Sequence, residues 1–581
     1  MNTSLPRWDL NLLMDNFEEA ISTLNKAREE AKTLSEKIQR TVSPPINPEQ
    51  IKEIIIAMER ILHNEGIASS YIYLKYAENT QDPEAQKYMG IMLSISGEIS
   101  GYLAKVTSTL VGLKAESLSS LMEHPSLTPY KHFFEKLIKK IPHTFSPEGE
   151  QIISVKNSTG RSGVVKLYDT ISGKLGREKD GKWLSLPQIR AMRMSSSREE
   201  RKWAWDTMLD IFRENTTTLG GLFTIVAMDW DKEAKLRNYP SPVSMRNVEN
   251  DVDDNVVSTM SEIVYSNMDI AQRYWNWKSR QLGVDKLEIY DLFAPIKEDS
   301  SYSWEEAKDA ILSSLAEFDD EIYQIVSEFF EENRIDAPTV PGKMGGAFCM
   351  YQSPGSPVYV MVNFTGKSRD VATLAHELGH GVHGVLSGGQ TPLNFHPPLA
   401  LAEVASTFGE FLLHDYLRRN SHDKQILSEI AGKMEDIIGT VFRQNTFHIF
   451  ETKAHSLVTN EGASPEELSN TYLKIYGKLF GNSVIYPESY KYEWVGIPHF
   501  VHTPFYVYSY TLAELVSLLI FKRYKEGYPD FKTRYKELLA AGGSEDPQSL
   551  LYRLMDIDIS KPETWEEALR FIEDYFLSYL K

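Results

Sequence analysis

Apolar residues recur at helical spacing along most of the chain. Residues 48–66 (PEQIKEIIIAMERILHNEG) start near a proline, carry apolar positions every three or four residues and end on Gly66. That pattern predicts a helix with its own stop signal. The same periodicity predicts helices over 84–122, 197–227, 252–283, 303–333, 426–459, 464–481 and 510–526. Two stretches break it. Residues 151–175 (QIISVKNSTGRSGVVKLYDTISGKL) predict short strands joined by Gly and Ser turns. Residues 341–364 (PGKMGGAFCMYQSPGSPVYVMVNF) predict a β-hairpin, with SPGSP as the turn between two apolar arms.

No repeat of fixed period and no low-complexity tract is present. A chain of 581 residues can build one large core or two to three lobes. The polar run SSSREER places a boundary near residue 195. It divides an N-terminal helical portion with a small β element (1–195) from a C-terminal portion (196–581) that holds the chemistry. The fold class expected is mainly α.

Composition changes this picture little, but charge narrows the partners. The net charge is −19. An acidic surface argues against nucleic acid and against an anionic membrane. No stretch approaches 18 continuous apolar residues, so no membrane span is expected, and the N-terminus lacks the apolar core of a secretory signal. The single cysteine, Cys349, cannot form an intramolecular disulfide, which suits a reducing, cytoplasmic setting. Nothing in the sequence sets an oligomeric state.

Candidate chemistry concentrates at His-Glu-Leu-Gly-His, residues 376–380. Histidines at i and i+4 share a helix face, about 6 Å apart along the axis, so both rings can reach one zinc ion. Glu377 between them faces the open side of such a metal, where a water can bind. Val371, Leu374, Ala375, Leu378, Val382 and Val385 form one apolar face, and Asp370 is placed as N-cap. The histidines therefore sit on a core-facing helix. A five-residue string also arises by chance, so a third ligand is required. Residue 386, where a metzincin would carry its third histidine, is Leu386. Downstream, LALAEVASTFGEFLLHDYL predicts a second helix with Glu403, Thr407 and Glu410 as a polar stripe on an apolar surface. Buried carboxylates need a partner or a metal, and the first helix offers one. The plainer alternative is that both glutamates are solvated charges.

His-Glu-Leu-Gly-His followed by Ala-Glu-Val-Ala-Ser-Thr resembles the M3 family of metallopeptidases, in particular its oligoendopeptidase F branch. PGKMGGAFC (341–349), NFTGKSRDVATLAHELGHGVH (363–383) and IPHFVHTPFYVYSY (497–510) are similar to that branch, as are RNYPSPVSMRNVEND (237–251) and KHFFEKLIKKIPHTF (131–145). The resemblance covers most of the chain. It implies a large, two-lobed helical shell enclosing a substrate channel, with a small β-hairpin at the active site, open to short unfolded peptides. It implies one zinc ion per chain held by His376, His380 and Glu403, with Glu377 as general base. His499 matches the family's intermediate-binding histidine. For the partner tyrosines the register admits Tyr506, Tyr508 and Tyr510. Tyr506 and Tyr510 are preferred for catalysis and Tyr508 for substrate contact, although such a stripe also serves as a plain aromatic helix face.

The hairpin edge is similar to the strand that pairs with substrate backbone, and Gly345, Gly346 and Ala347 fall there. Glu410 is a candidate to orient a ligating histidine from behind. His383, one turn past His380, is either a neighbour of the metal ligands or a packing residue. The activity implied is hydrolysis of internal peptide bonds by a zinc-activated water. Two rivals remain: a zinc carboxypeptidase or dipeptidyl carboxypeptidase on a related scaffold, and a non-catalytic peptide-binding protein, against which the intact His376, Glu377 and His380 count.

Overall fold

The computed structural model describes residues 5–42, 46–296, 301–420 and 423–580. Helices dominate, as the periodicity predicts, and the chain forms two compact units. The first joins Met1–Pro147, Ser300–Ser421 and Ile520–Ile557; the second joins Glu148–Asp299, His422–Leu519 and Asp558–Lys581.

The first unit opens with helices Phe17–Thr41, Pro48–Glu78 and Pro83–Val111. Asn16, Asn47 and Asp82 cap them with side-chain oxygens, and prolines fill the first turns of the last two. Ala20, Leu24, Ala27 and Ala31 line the buried face of the first helix, and the three alanines let its two neighbours pack close. Gly66 does not stop its helix, which continues to Glu78. A Cβ there would lie 3.2 Å from the Gln352 carbonyl oxygen, so this glycine marks the approach of the hairpin turn.

That hairpin forms as predicted. Strand Phe348–Met350 pairs antiparallel with Tyr359–Met361, with Cys349 opposite Val360, and Ile335–Asp336 adds in parallel on the far side. Tyr359 and Met361 join the core of the N-terminal helices, and Phe348 and Met350 pack against it. The sheet is thereby held from behind.

Two later helices of this unit cross closely. Ser368–Leu386 buries Val371, Leu374, Ala375, Leu378 and Val382, the predicted stripe, whereas its last member, Val385, is 37% exposed. Val404–Asn420 buries Val404, Ala405, Phe408, Phe411 and Leu412. At the crossing, a Cβ on Gly379 would sit 2.4 Å from the Ala405 carbonyl oxygen, and one on Gly409 would sit 3.1 Å from that of Ala375. Two opposed glycines set the separation of these backbones.

The second unit is built on the 39-residue helix Arg198–Leu236. Here the expected strands over 151–175 are absent. Helices Pro147–Thr159 and Arg161–Ser172 occupy that segment. Tertiary contacts override the local β-branched and glycine content: Glu150 pairs with Arg237, Arg161 with Asp229 and Glu233, and buried Tyr168 donates to the Val495 carbonyl. The β element comes just after, as the hairpin Gly176–Lys179 and Lys182–Ser185. Its two-residue turn is Asp180-Gly181, both with positive φ, the Asp-Gly signal of a tight hairpin. The polar run at 195–201 ends no compact unit. Arg201 donates to the carbonyls of Ser195 and Ser196, and Arg198 and Arg201 both bind buried Asp291.

Gly379→Ala should destabilise the protein by about 1–3 kcal/mol through overpacking at the crossing. Thermal denaturation measures this, and an unchanged melting temperature would show that the helices can part without cost.

Candidate metal centre

The helix carrying the histidines starts one turn earlier than a cap at Asp370 would allow. It begins at Ser368, and Asp370 is its third residue. The Asp370 carboxylate accepts the Thr365 N–H at 2.7 Å, the Thr365 hydroxyl at 2.6 Å and the Lys367 N–H at 3.2 Å. It thus caps from inside the helix and ties it to the loop that follows the sheet. One helical turn separates His376 from His380, and their rings stand 4.9 Å apart at 84°.

The close crossing at Gly379 delivers the third group. Glu403 lies at a break between the short helix Leu399–Ala402 and Val404–Asn420, with φ −95 and ψ 0. The predicted single helix is therefore interrupted at this residue. Its Oε2 is 3.3 Å from the Nε2 atoms of both His376 and His380. Ser406 Oγ donates to the same carboxylate oxygen at 2.8 Å. Ligand atoms of His376, His380 and Glu403 all lie within 4.8 Å of one another, and this is the one such cluster among the described residues. Tetrahedral zinc with bonds of about 2.0–2.1 Å sets its ligands roughly 3.3–3.4 Å apart. The two histidine–Glu403 separations of 3.3 Å match that spacing, and the donor set of two imidazole nitrogens and a carboxylate oxygen suits that ion.

Glu410 completes the arrangement from behind. Its Oε1 is 2.5 Å from His376 Nδ1, so Nδ1–H donates to the carboxylate and Nε2 is left facing Glu403. The charges are strongly coupled. Burial works against the Glu403 carboxylate, but its contacts with the two rings outweigh it and hold the carboxyl well below its ordinary range. Burial likewise opposes a charged His376, and the bonds to Glu403 and Glu410 reverse this, raising it. The pocket concentrates negative charge of the kind a divalent cation satisfies.

Glu377 is 7% exposed, and burial raises its carboxyl against the pull of the two histidines. Burial and the Glu377 charge both push the thiol of Cys349, on the hairpin strand, up. Strand Phe348–Met350 is the edge of its sheet. Beside it, Gly345 and Gly346 are exposed and Ala347 is half-buried; Gly346 has φ +84. Asn363 Nδ2 donates to the carbonyls of Met344 and Gly346, which fixes this loop. His383 is buried, and neither ring nitrogen finds a hydrogen-bond partner among the described residues. Burial lowers it to about 3, so it is a neutral packing residue.

The C-terminal candidates belong to the second unit. His499 Nε2 is 3.1 Å from the Tyr510 hydroxyl, and the Tyr506 and Tyr510 rings stand 5.5 Å apart at 79°. Burial and nearby His502 lower His499, which favours its neutral form. Tyr508 does not have the substrate-facing place expected of it. It is fully buried, and its hydroxyl accepts a hydrogen bond from Asn250 Nδ2 at 2.8 Å. Alternate positions 506, 508 and 510 do not share one face here, because the helix begins only at Tyr508.

Sequence reasoning missed Gly379, Gly409, Ser406 and the nearness of Cys349 to Glu377. Glycine within His-Glu-Leu-Gly-His and within Phe-Gly-Glu, each in a helix, was the available signal for a close crossing. Ser406 and Cys349 carried none.

The profile of Peptidase family M3 matches residues 191–571, and that of Oligopeptidase F matches residues 110–175. An oligoendopeptidase F homolog of Borreliella burgdorferi is 26% identical over 98% of this chain and 96% of its own. Oligopeptidase PepF of Bacillus subtilis is 28% identical over 90% of this chain and 80% of its own. Among solved structures, one from Chlamydophila abortus superimposes with a TM-score of 0.86 at 23% identity, covering 99% of this chain and 98% of that one. Oligoendopeptidase-F from Enterococcus faecium superimposes with a TM-score of 0.72 at 21% identity, covering 97% and 98%. With a family profile spanning well over half its length and the His-His-Glu cluster in place, the chain belongs to peptidase family M3.

Proposed function

We propose that this peptidase is a zinc-dependent oligoendopeptidase that cuts internal bonds of short, unfolded peptides. The observation that carries the reading is the shared 3.3 Å approach of Glu403 Oε2 to two imidazole nitrogens, one of them oriented by Glu410. The names of the relatives support the substrate class. A cytoplasmic setting suits the single cysteine, and no helix among the described residues is long and apolar enough to cross a membrane.

His376, His380 and Glu403 would hold one zinc ion per chain. When bound, zinc supplies Lewis acidity that polarises a carbonyl and makes water a nucleophile near neutral pH. The remaining steps belong to the chain. Glu377 takes a proton from the attacking water and passes it to the leaving amine nitrogen. Its raised carboxyl brings its basicity closer to the working pH. The free edge of Phe348–Met350, with Gly345, Gly346 and Ala347, pairs with the extended substrate backbone. His499 and one tyrosine, Tyr506 or Tyr510, would donate hydrogen bonds to the developing oxyanion, each worth about 3 kcal/mol where such donors are preorganised.

Glu377→Gln should keep its zinc and lose about 10²–10⁴-fold in kcat. Elemental analysis and a peptide assay check this, and a normal rate would remove Glu377 from its role. His376→Ala should lose metal and activity together; stoichiometric zinc in that variant contradicts the ligand set. Mass spectrometry of products from C-terminally amidated peptides, with and without chelator, should show chelator-sensitive internal cuts. Trimming confined to free C-termini would favour a carboxypeptidase.

A further inference from the structure

The segment that carries His499 and Tyr510 contains a strained residue. Phe505 has φ 60, the left-handed region that favours glycine, and no glycine occurs from Ile497 to Tyr510. A bulky residue held there is strained and persists only when its surroundings enforce it. The bend at Phe505 turns the chain back so that the Tyr510 hydroxyl meets His499 at 3.1 Å.

The enforcing groups come from two separate places in the second unit. From helix Gln444–Glu461, Glu451 Oε1 accepts the Phe505 N–H at 2.8 Å. Glu451 is completely buried, and its Oε2 has no hydrogen-bond partner among the described residues. Burial raises this carboxyl to about 8, although the Phe505 N–H and the charge of Arg246 act the other way. The second place is segment 237–251, whose resemblance the proposed mechanism leaves unused. Arg246 Nε donates to the Pro504 carbonyl at 3.0 Å, the peptide immediately before the strained residue. Asn250 Nδ2 donates to the Tyr508 hydroxyl and, at 3.3 Å, to Ser509 Oγ. Tyr239, Val243 and Met245, with Trp230 and Ala234, form a separate apolar cluster into which the Phe505 ring inserts, and the His455 ring lies 4.4 Å from it.

We infer that Glu451 is a positioning residue: with Arg246 and Asn250 it clamps residues 504–509, Phe505 among them in its left-handed conformation, and so sets where Tyr510 and His499 stand for the reaction. A buried carboxyl group whose one hydrogen bond is to a backbone N–H is expensive for packing alone. Here it supplies an acceptor, away from water, to a peptide that the bend leaves without a helical or strand partner. This inference rests on the reading that His499 and Tyr510 serve catalysis.

The test is steady-state kinetics of the zinc-loaded full chain. Glu451→Leu, which removes the acceptor, should lower kcat about 10- to 100-fold, the cost of misplacing a reacting group by about 1 Å. Its KM and zinc content should stay near those of the unchanged protein. Glu451→Gln keeps an acceptor oxygen and should recover most of the rate. Should Glu451→Leu fail to fold, Asn250→Ala, at a half-buried position, should show a smaller loss of the same kind. Hydrogen exchange of a peptide spanning 503–508 should speed up in both variants. Tyr510→Phe separates the two ideas. A normal kcat in Tyr510→Phe defeats the catalytic reading and this inference with it. A depressed kcat there, beside an unaffected Glu451→Leu or Asn250→Ala, overturns the clamp alone. A loss carried by KM or by zinc content also overturns it.

Discussion

The metal centre depends on how closely two helix backbones pass. Gly379 and Gly409 face each other where Ser368–Leu386 crosses Val404–Asn420, and a side chain at Gly379 has no room against the Ala405 carbonyl. That separation brings Glu403 to within 3.3 Å of both imidazoles. A wider crossing would leave two histidines on one helix and a carboxylate out of reach. The break at Glu403 contributes as well: between two helical segments, its side chain leaves the regular spiral and turns toward the rings.

Around this crossing the molecule manages a surplus of buried charge. Glu377, Glu403 and Glu410 gather around two histidines, and burial penalises the ionised forms of His376, Glu377 and Glu403. Hydrogen bonds decide which charges survive. Glu403 is held charged by His376 and His380, while burial outweighs the pull of the same two rings on Glu377 and raises its carboxyl. The same low-polarity setting that makes these groups costly makes them effective, because interactions are weakly screened there. His383, one turn on, shows the contrast: buried and without a hydrogen-bond partner among the described residues, it stays neutral.

Rigidity is built differently in the two units. In the first, a helical core supports a three-stranded sheet, and Asn363 holds the loop before its edge strand. In the second, the turn carrying the tyrosines is bent against its intrinsic preference and held by buried polar contacts. Local strain of this kind survives because distant residues of the same unit impose it.

Local rules made part of this protein legible from its residues. The helices, the hairpin at 341–364 and the pairing of His376 with His380 follow from neighbours three, four or two positions apart, and Glu403 and Glu410 were visible as carboxylates on an apolar surface. Where local signals conflicted with packing, the reading failed. Residues 151–172 became helical because Arg237, Asp229, Glu233 and Val495 hold them, Gly66 served a contact instead of a stop, and Tyr508 turned inward to Asn250. Residue types and spacing thus determined which groups could bind a metal. Only the tertiary structure decided how near they come, which carboxylate faces which ring nitrogen, and which tyrosines are buried, because those distances are set by contacts between residues far apart in the chain.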